Sequence, residues 1–257
     1  MKDSQFKYLE LKGVTLAHLG SLKSDKVLLF IGRSNTQKNS APLQELLNRL
    51  ILDGYLLVWP KDKNQSISEL LTEKSARAVS YLDRILGPNE RPIKVWMRRC
   101  LKGLILIFHP SKWNYFVNWL SAGQANDQAP GIRRAIQAIG KNKSIYILSH
   151  SAGGITASNL SNEINLCGII CFGYPFKHPE KGEEFYRTEH LKGLQKPFLI
   201  IQGTRDEYGG KDVRHRYDLS PFIELVFVDA THEYENLSTK DWARVTHRIE
   251  ELLKRNE

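Results

Sequence analysis

Apolar residues fall along this chain in two rhythms. Short unbroken runs, as fully buried strands produce, alternate with stretches whose apolar positions recur every three or four residues, as on one helix face. The first eighteen residues show only brief alternations (Phe6 and Tyr8, Leu9 and Leu11, Val14 and Leu16), which predict a pair of short leading strands. Lys26 to Gly32 is an apolar run closed by glycine and predicts a buried parallel strand, with a polar loop from Arg33 to Ser40 after it. Pro42 to Leu52 sets Leu43, Leu46, Leu47, Leu50 and Ile51 on one helical face, and Tyr55 to Pro60 predicts the next strand. Ser66-Ile67-Ser68-Glu69 is a capping box, opening a helix that ends at Gly87-Pro88. Pro130-Gly131 starts another helix with Ile132, Ala135, Ile136 and Ile139 inward. Apolar strands follow at Ile145–Leu148, Leu166–Phe172, Pro197–Gln202 and Ile223–Asp229, with helical patterns between them, and Thr239–Leu253 is the last helix.

Strands alternating with helices predict a mostly parallel central sheet covered by helices on both faces, an α/β protein in one domain over residues 1–257. One segment departs from the alternation. Residues 88–128 hold Trp96, Trp113 and Trp119 beside Phe108, Tyr115 and Phe116, and Trp113, Phe116, Val117 and Leu120 share a helical face. They are expected to form an inserted lid or cap over a pocket, or an insertion that packs on the main core.

Composition narrows the class. A content of 41% hydrophobic and 25% charged residues is that of a globular domain, and no apolar run approaches the roughly 20 residues of a membrane span. Met1 to Gln5 lack the apolar stretch of a secretory signal, so the expected compartment is cytoplasmic. Three cysteines make no disulfide framework. Cys167 and Cys171 sit four residues apart on one strand, roughly 13 Å, beyond the ~7 Å a disulfide spans. No Cys and His spacing suggests a metal site, and no cofactor is implied. The net charge of +9 is spread along the chain with no nucleic-acid module to match it, so specific nucleic-acid binding is not expected.

The chemistry gathers after the Ile145–Leu148 run. Ser149-His150-Ser151-Ala152-Gly153-Gly154 follows it, and Ile155 to Leu160 can continue as a helix, the strand–turn–helix context of a nucleophile elbow. Such a turn needs small residues two places either side of the nucleophile. Ser151 satisfies this with Ser149 and Gly153, whereas Ser149 would have Ile147, so Ser151 is the candidate. In an α/β-hydrolase fold an acid and then a histidine follow at later strand ends. Asp206, with Glu207 in reserve, follows the Pro197–Gln202 strand, and His232 follows the Ile223–Asp229 strand. His150 is expected to leave the turn in a different direction from Ser151, His109 belongs to the insertion and is a further candidate to line the pocket, and the remaining histidines are expected to lie on the surface. Oxyanion donors are expected from the Ala152 N–H and from Arg33 or Ser34.

Gly173-Tyr174-Pro175-Phe176, then Arg187-Thr188-Glu189-His190-Leu191, then Ile201-Gln202-Gly203-Thr204-Arg205-Asp206 resembles small α/β-hydrolases related to the testis-expressed and NSL-complex-type proteins, a group similar to dienelactone hydrolases. The likeness runs from about Lys26 to the C-terminus without the 88–128 segment. It implies the triad Ser151, Asp206 and His232, with Gly32–Ser34 as the oxyanion loop. Two departures stand out, Ser149 in place of glycine and Gly32-Arg33 in place of a histidine or glycine-rich turn. The resulting expectation is a serine hydrolase cleaving an ester or similar acyl bond of a small molecule. The alternative is a non-catalytic protein that keeps the fold as a binding scaffold, as some relatives do.

Overall fold

The computed structural model describes residues 6–32, 41–61, 80–81, 97, 100, 129–234 and 237–254. The chain divides into two compact units, one of Met1–Pro60 with Gln128–Glu257 and the other of Lys61–Asp127. In the second unit the described residues beyond Lys61 are Ser80, Tyr81, Met97 and Cys100, all helical. The rest of the capping-box helix and the 88–128 aromatic segment, with the lid expected of it, lie outside the described residues, as does the Arg33–Ser40 loop.

The first unit is an eight-stranded sheet. In chain order its strands are β1 (Lys7–Leu11), β2 (Val14–Leu19), β3 (Lys26–Ile31), β4 (Leu56–Lys61), β5 (Ser144–His150), β6 (Leu166–Phe172), β7 (Phe198–Gly203) and β8 (Ile223–Val228), and they lie side by side as β1-β2-β4-β3-β5-β6-β7-β8. The leading strands form an antiparallel hairpin in which Lys12 and Gly13 both take positive φ, the turn whose twist suits a two-residue hairpin loop. From β4 through β3 to β8 each neighbouring pair is parallel. The helices are α1 (Ala41–Leu52), α2 (Ala129–Ile139), α3 (Ala152–Asn159), the single turn α4 (Val213–Arg216) and α5 (Thr239–Lys254).

Strand alternation splits the core into two layers. Val27, Leu29, Ile145, Ile147, Ile169, Phe198 and Ile200 face α2 and α3. Leu28, Phe30, Tyr146, Leu148, Ile170, Leu199 and Ile201 face α1 and α5, meeting Leu46, Leu50, Trp242, Val245 and Ile249. Burial on both faces explains why the central strands read as unbroken apolar runs. Each fully buried aliphatic side chain contributes about 1.5–3 kcal/mol, so the carboxyl ends of β5, β7 and β8 stand on a rigid base.

Two expectations need correction. Full helices do not separate β6, β7 and β8. Two 3-10 turns, Phe185–Arg187 and Glu189–Gly193, lie between β6 and β7, and only α4 lies between β7 and β8. Pro175, Pro179 and Gly182 interrupt any helical repeat in the first connection, and buried Tyr174, Phe176, Leu191 and Leu194 cover the sheet face in place of a helix. Nor are the remaining histidines all superficial. His18 is buried on β2, and its Nδ1 has no hydrogen-bond partner among the described residues. His190 is half-buried against α3, with Nε2 2.7 Å from Ser158 Oγ. Ser158 donates its own proton to the Ile155 carbonyl at 3.0 Å, so the His190 nitrogen is the donor between them.

Burial lowers the His190 pKa. The unfolded chain therefore takes up this proton first as pH falls through about 6.5, and stability is level above that point and declines below it. The urea midpoint should fall between pH 7.5 and 5.5, and fall less in His190→Gln. Equal slopes in the two proteins would count against the buried imidazole as the cause.

Candidate active site

β5 runs to His150, α3 starts at Ala152, and one residue makes the corner between them. The turn is thus shorter than the six-residue stretch expected, and Gly153 and Gly154 belong to the first turn of the helix. Ser151 has φ 54° and ψ −128°, a sparsely populated conformation for a residue with a Cβ. Its N–H donates to the Phe172 carbonyl at 3.0 Å, and its carbonyl accepts from Gly154 N–H at 2.8 Å. The glycines serve closeness. A Cβ on Gly153 would lie 2.7 Å from the Ile31 carbonyl oxygen, and one on Gly154 would lie 2.5 Å from Cys171 Sγ. Ser149 fits where glycine is more usual because its fully buried hydroxyl donates to the Ile170 carbonyl at 2.9 Å.

Three side chains from three strand ends meet here. Ser151 Oγ lies 2.8 Å from His232 Nε2. His232 Nδ1 lies 3.0 Å from Asp206 Oδ1 and 2.9 Å from Oδ2. A carboxylate can only accept, so Nδ1 carries the proton and the Nε2 lone pair faces the serine hydroxyl. This arrangement can withdraw a proton from Ser151 while the negative Asp206 balances the imidazolium that forms. Asp206 and His232 are both buried, whereas Glu207, the reserve acid, is exposed.

The frame around them is dense. Asp206 Oδ1 accepts from Tyr208 N–H at 2.9 Å, and Oδ2 accepts from Gln202 Nε2 at 3.0 Å. The acid and histidine loops are tied together by Arg205 N–H donating to the Ala230 carbonyl at 3.0 Å. Tyr234 OH donates to the Ile201 carbonyl at 2.6 Å, and its burial pushes the phenol pKa well up, so the hydroxyl stays protonated. The Tyr208 ring lies 4.4 Å from the His232 ring, centroid to centroid. Gly173, at φ 63°, lies under the imidazole, where a Cβ would sit 3.1 Å from His232 Nδ1.

His150 stands outside the Ser151–His232–Asp206 path but touches it. Its Nε2 donates to the His232 carbonyl at 3.2 Å and its ring centroid is 5.2 Å from that of His232, so it belongs to the frame of the site. The signal for it was its place beside Ser151 at the strand end. Cys171 lies behind the elbow, wholly buried, its thiol pushed up to about 12 chiefly by desolvation. It stays a neutral thiol and offers no competing nucleophile.

Ala152 is the first residue of α3, where an N–H has no acceptor within the helix and the helix dipole favours negative charge. Arg33 and Ser34, expected to supply the partner amide, lie outside the described residues. Among the described residues no group of three or more His, Cys, Asp or Glu side chains is placed to hold a metal ion, and no helix is long and apolar enough to cross a membrane.

The sheet order, the one-residue elbow and the carboxyl-end cluster define an α/β-hydrolase fold. A family model described as an alpha/beta hydrolase domain matches residues 123–255, and the chain belongs to that family. No curated protein matches the chain by sequence. Among solved structures it is similar to a serine hydrolase involved in carbazole degradation, the CarC enzyme, at 13% identity over 96% of this chain and 98% of that one, with a TM-score of 0.56. A serine hydrolase without lid from Xanthomonas campestris aligns at 12% identity over 99% and 96%, with a TM-score of 0.52. A Pyrococcus furiosus esterase aligns at 16% identity over 97% and 90%, with a TM-score of 0.50. At these identities the likeness is one of fold.

The contact between α3 and the end of β3 yields a direct test. Gly153→Ala puts a methyl group against backbone that cannot swing aside, and should destabilise the protein by about 1–3 kcal/mol, read as a lowered Tm. An unchanged Tm would show that the elbow stands further from Ile31.

Proposed function

We propose that this protein is a serine hydrolase that cleaves an ester or similar acyl bond through an acyl-enzyme. The observation that carries the reading is the unbroken path from Ser151 Oγ through both His232 nitrogens to Asp206, with the serine on a strained strand-to-helix corner. Ser151 attacks the acyl carbonyl as His232 Nε2 takes its proton. The imidazolium returns that proton to the leaving group, which departs and leaves the acyl group on Ser151. Water then enters, gives a proton to Nε2, and releases the acid and the free serine. Ala152 N–H holds one side of the developing oxyanion, and an amide from Arg33 or Ser34 holds the other.

The scaffold alternative draws on Gly32-Arg33 in the oxyanion loop, on the basic surface and, in the elbow, on Ser149. Its hydroxyl is seated on the Ile170 carbonyl, and the corner beside it keeps its tight form, so that residue gives the alternative no support.

A fluorophosphonate probe should label the wild type and fail to label Ser151→Ala. Asp206→Asn should slow turnover of p-nitrophenyl acetate by roughly ten-thousand-fold, because an amide favours the wrong imidazole tautomer. Equal labelling of wild type and Ser151→Ala would remove Ser151 from the nucleophile role.

A further inference from the structure

Gln202 is the last side chain of β7 before its terminal glycine, and it is wholly buried. Strand alternation places it on the face of Phe198 and Ile200, where packing alone calls for another aliphatic residue. Its Nε2 donates to Asp206 Oδ2 at 3.0 Å and to the Gly209 carbonyl at 2.6 Å. Both partners can only accept, which fixes the orientation of the amide. Its Oε1 is then left buried with no hydrogen-bond partner among the described residues. An orphaned buried acceptor is a cost that most side chains avoid, and one tolerated beside a candidate acid calls for a reason.

We infer that Gln202 is a positioning residue for Asp206, resting on the serine-hydrolase reading above. Its amide closes the turn from β7 to Gly209 and holds one carboxylate oxygen, while Tyr208 N–H holds the other. With both oxygens anchored, the carboxylate plane cannot rotate away from His232 Nδ1. The amide also shares the carboxylate charge. Without that donor Asp206 becomes a stronger base, the imidazolium beside it is held more tightly, and the acid limb of activity moves to higher pH.

The test compares Gln202→Met, which keeps the length and loses the donor, with Gln202→Glu. In Gln202→Met, kcat on p-nitrophenyl acetate should fall about ten-fold or more, because the misorientation of an unanchored carboxylate and its imidazole outweighs the greater basicity. KM should change little, and the acid limb of kcat/KM should rise. In Gln202→Glu the new carboxyl should stay protonated, because two carboxyls this close do not both ionise readily. Its single O–H can restore the donor to Asp206 Oδ2 but not the one to the Gly209 carbonyl as well, so activity should recover in part near neutral pH and fall at alkaline pH where the wild type holds its plateau. A folded Gln202→Met with wild-type kcat and pH profile overturns the inference. If Gln202→Met does not fold, a Gln202→Glu profile identical to wild type overturns it. The downfield proton resonance of His232 Nδ1 separates the two readings, since it needs no turnover. Should wild type neither label nor hydrolyse, the hydrolase reading fails, and a resonance present in wild type and displaced in Gln202→Met still supports the positioning role. A resonance unchanged in Gln202→Met counts against that role.

Discussion

Everything at this site depends on holding Ser151 in a backbone conformation it would not choose. A non-glycine residue in such a region costs of order 1–3 kcal/mol, and the surroundings must over-determine it. They do so from three directions. β5 is buried on both faces, the Phe172 carbonyl fixes the Ser151 N–H, and α3 begins at once with Gly154 N–H on the Ser151 carbonyl. The corner therefore cannot relax without loosening β6 or α3. The serine hydroxyl is carried on the tip of that corner, out of the sheet and within reach of the histidine.

The acid and the histidine are held by a different device. Neither stands on regular structure; each occupies a loop just past a strand end. Precision comes from cross-links between the two loops. Arg205 N–H reaches Ala230, Tyr234 OH reaches back to β7, and Gln202 and Tyr208 fix the carboxylate. His150 adds a bond from the elbow side to the His232 carbonyl. The three groups are thus one hydrogen-bonded assembly spanning β5, β7 and β8.

Much of this was legible in the residues. Burial on both faces imposes unbroken apolar runs, so the parallel strands stood out. The requirement for small neighbours selected Ser151, and chain order alone led to Asp206 and His232. What could not be read follows from contacts across distant chain segments. Gly153 and Gly154 look like flexible turn residues, and only the proximity of Ile31 and Cys171 explains them as points of close approach. Gln202 looks like an ordinary polar strand terminus until its partners are known. The buried His18 and His190 carry no local mark, because burial depends on what packs above them. The connection from β6 to β7 reads as helical, but Tyr174, Phe176, Leu191 and Leu194 in it are single anchors in a loop layer.

That loop layer shapes how the molecule tolerates change. Between β6 and β7 the sheet is roofed by Tyr174, Phe176, Leu191 and Leu194, separate studs joined by polar chain. A helix there would transmit any inserted residue along its whole length, rotating every following contact. Independent studs confine such an insertion to the stretch between two of them. This flank can accordingly diverge in length and outline while the elbow beside it keeps its geometry.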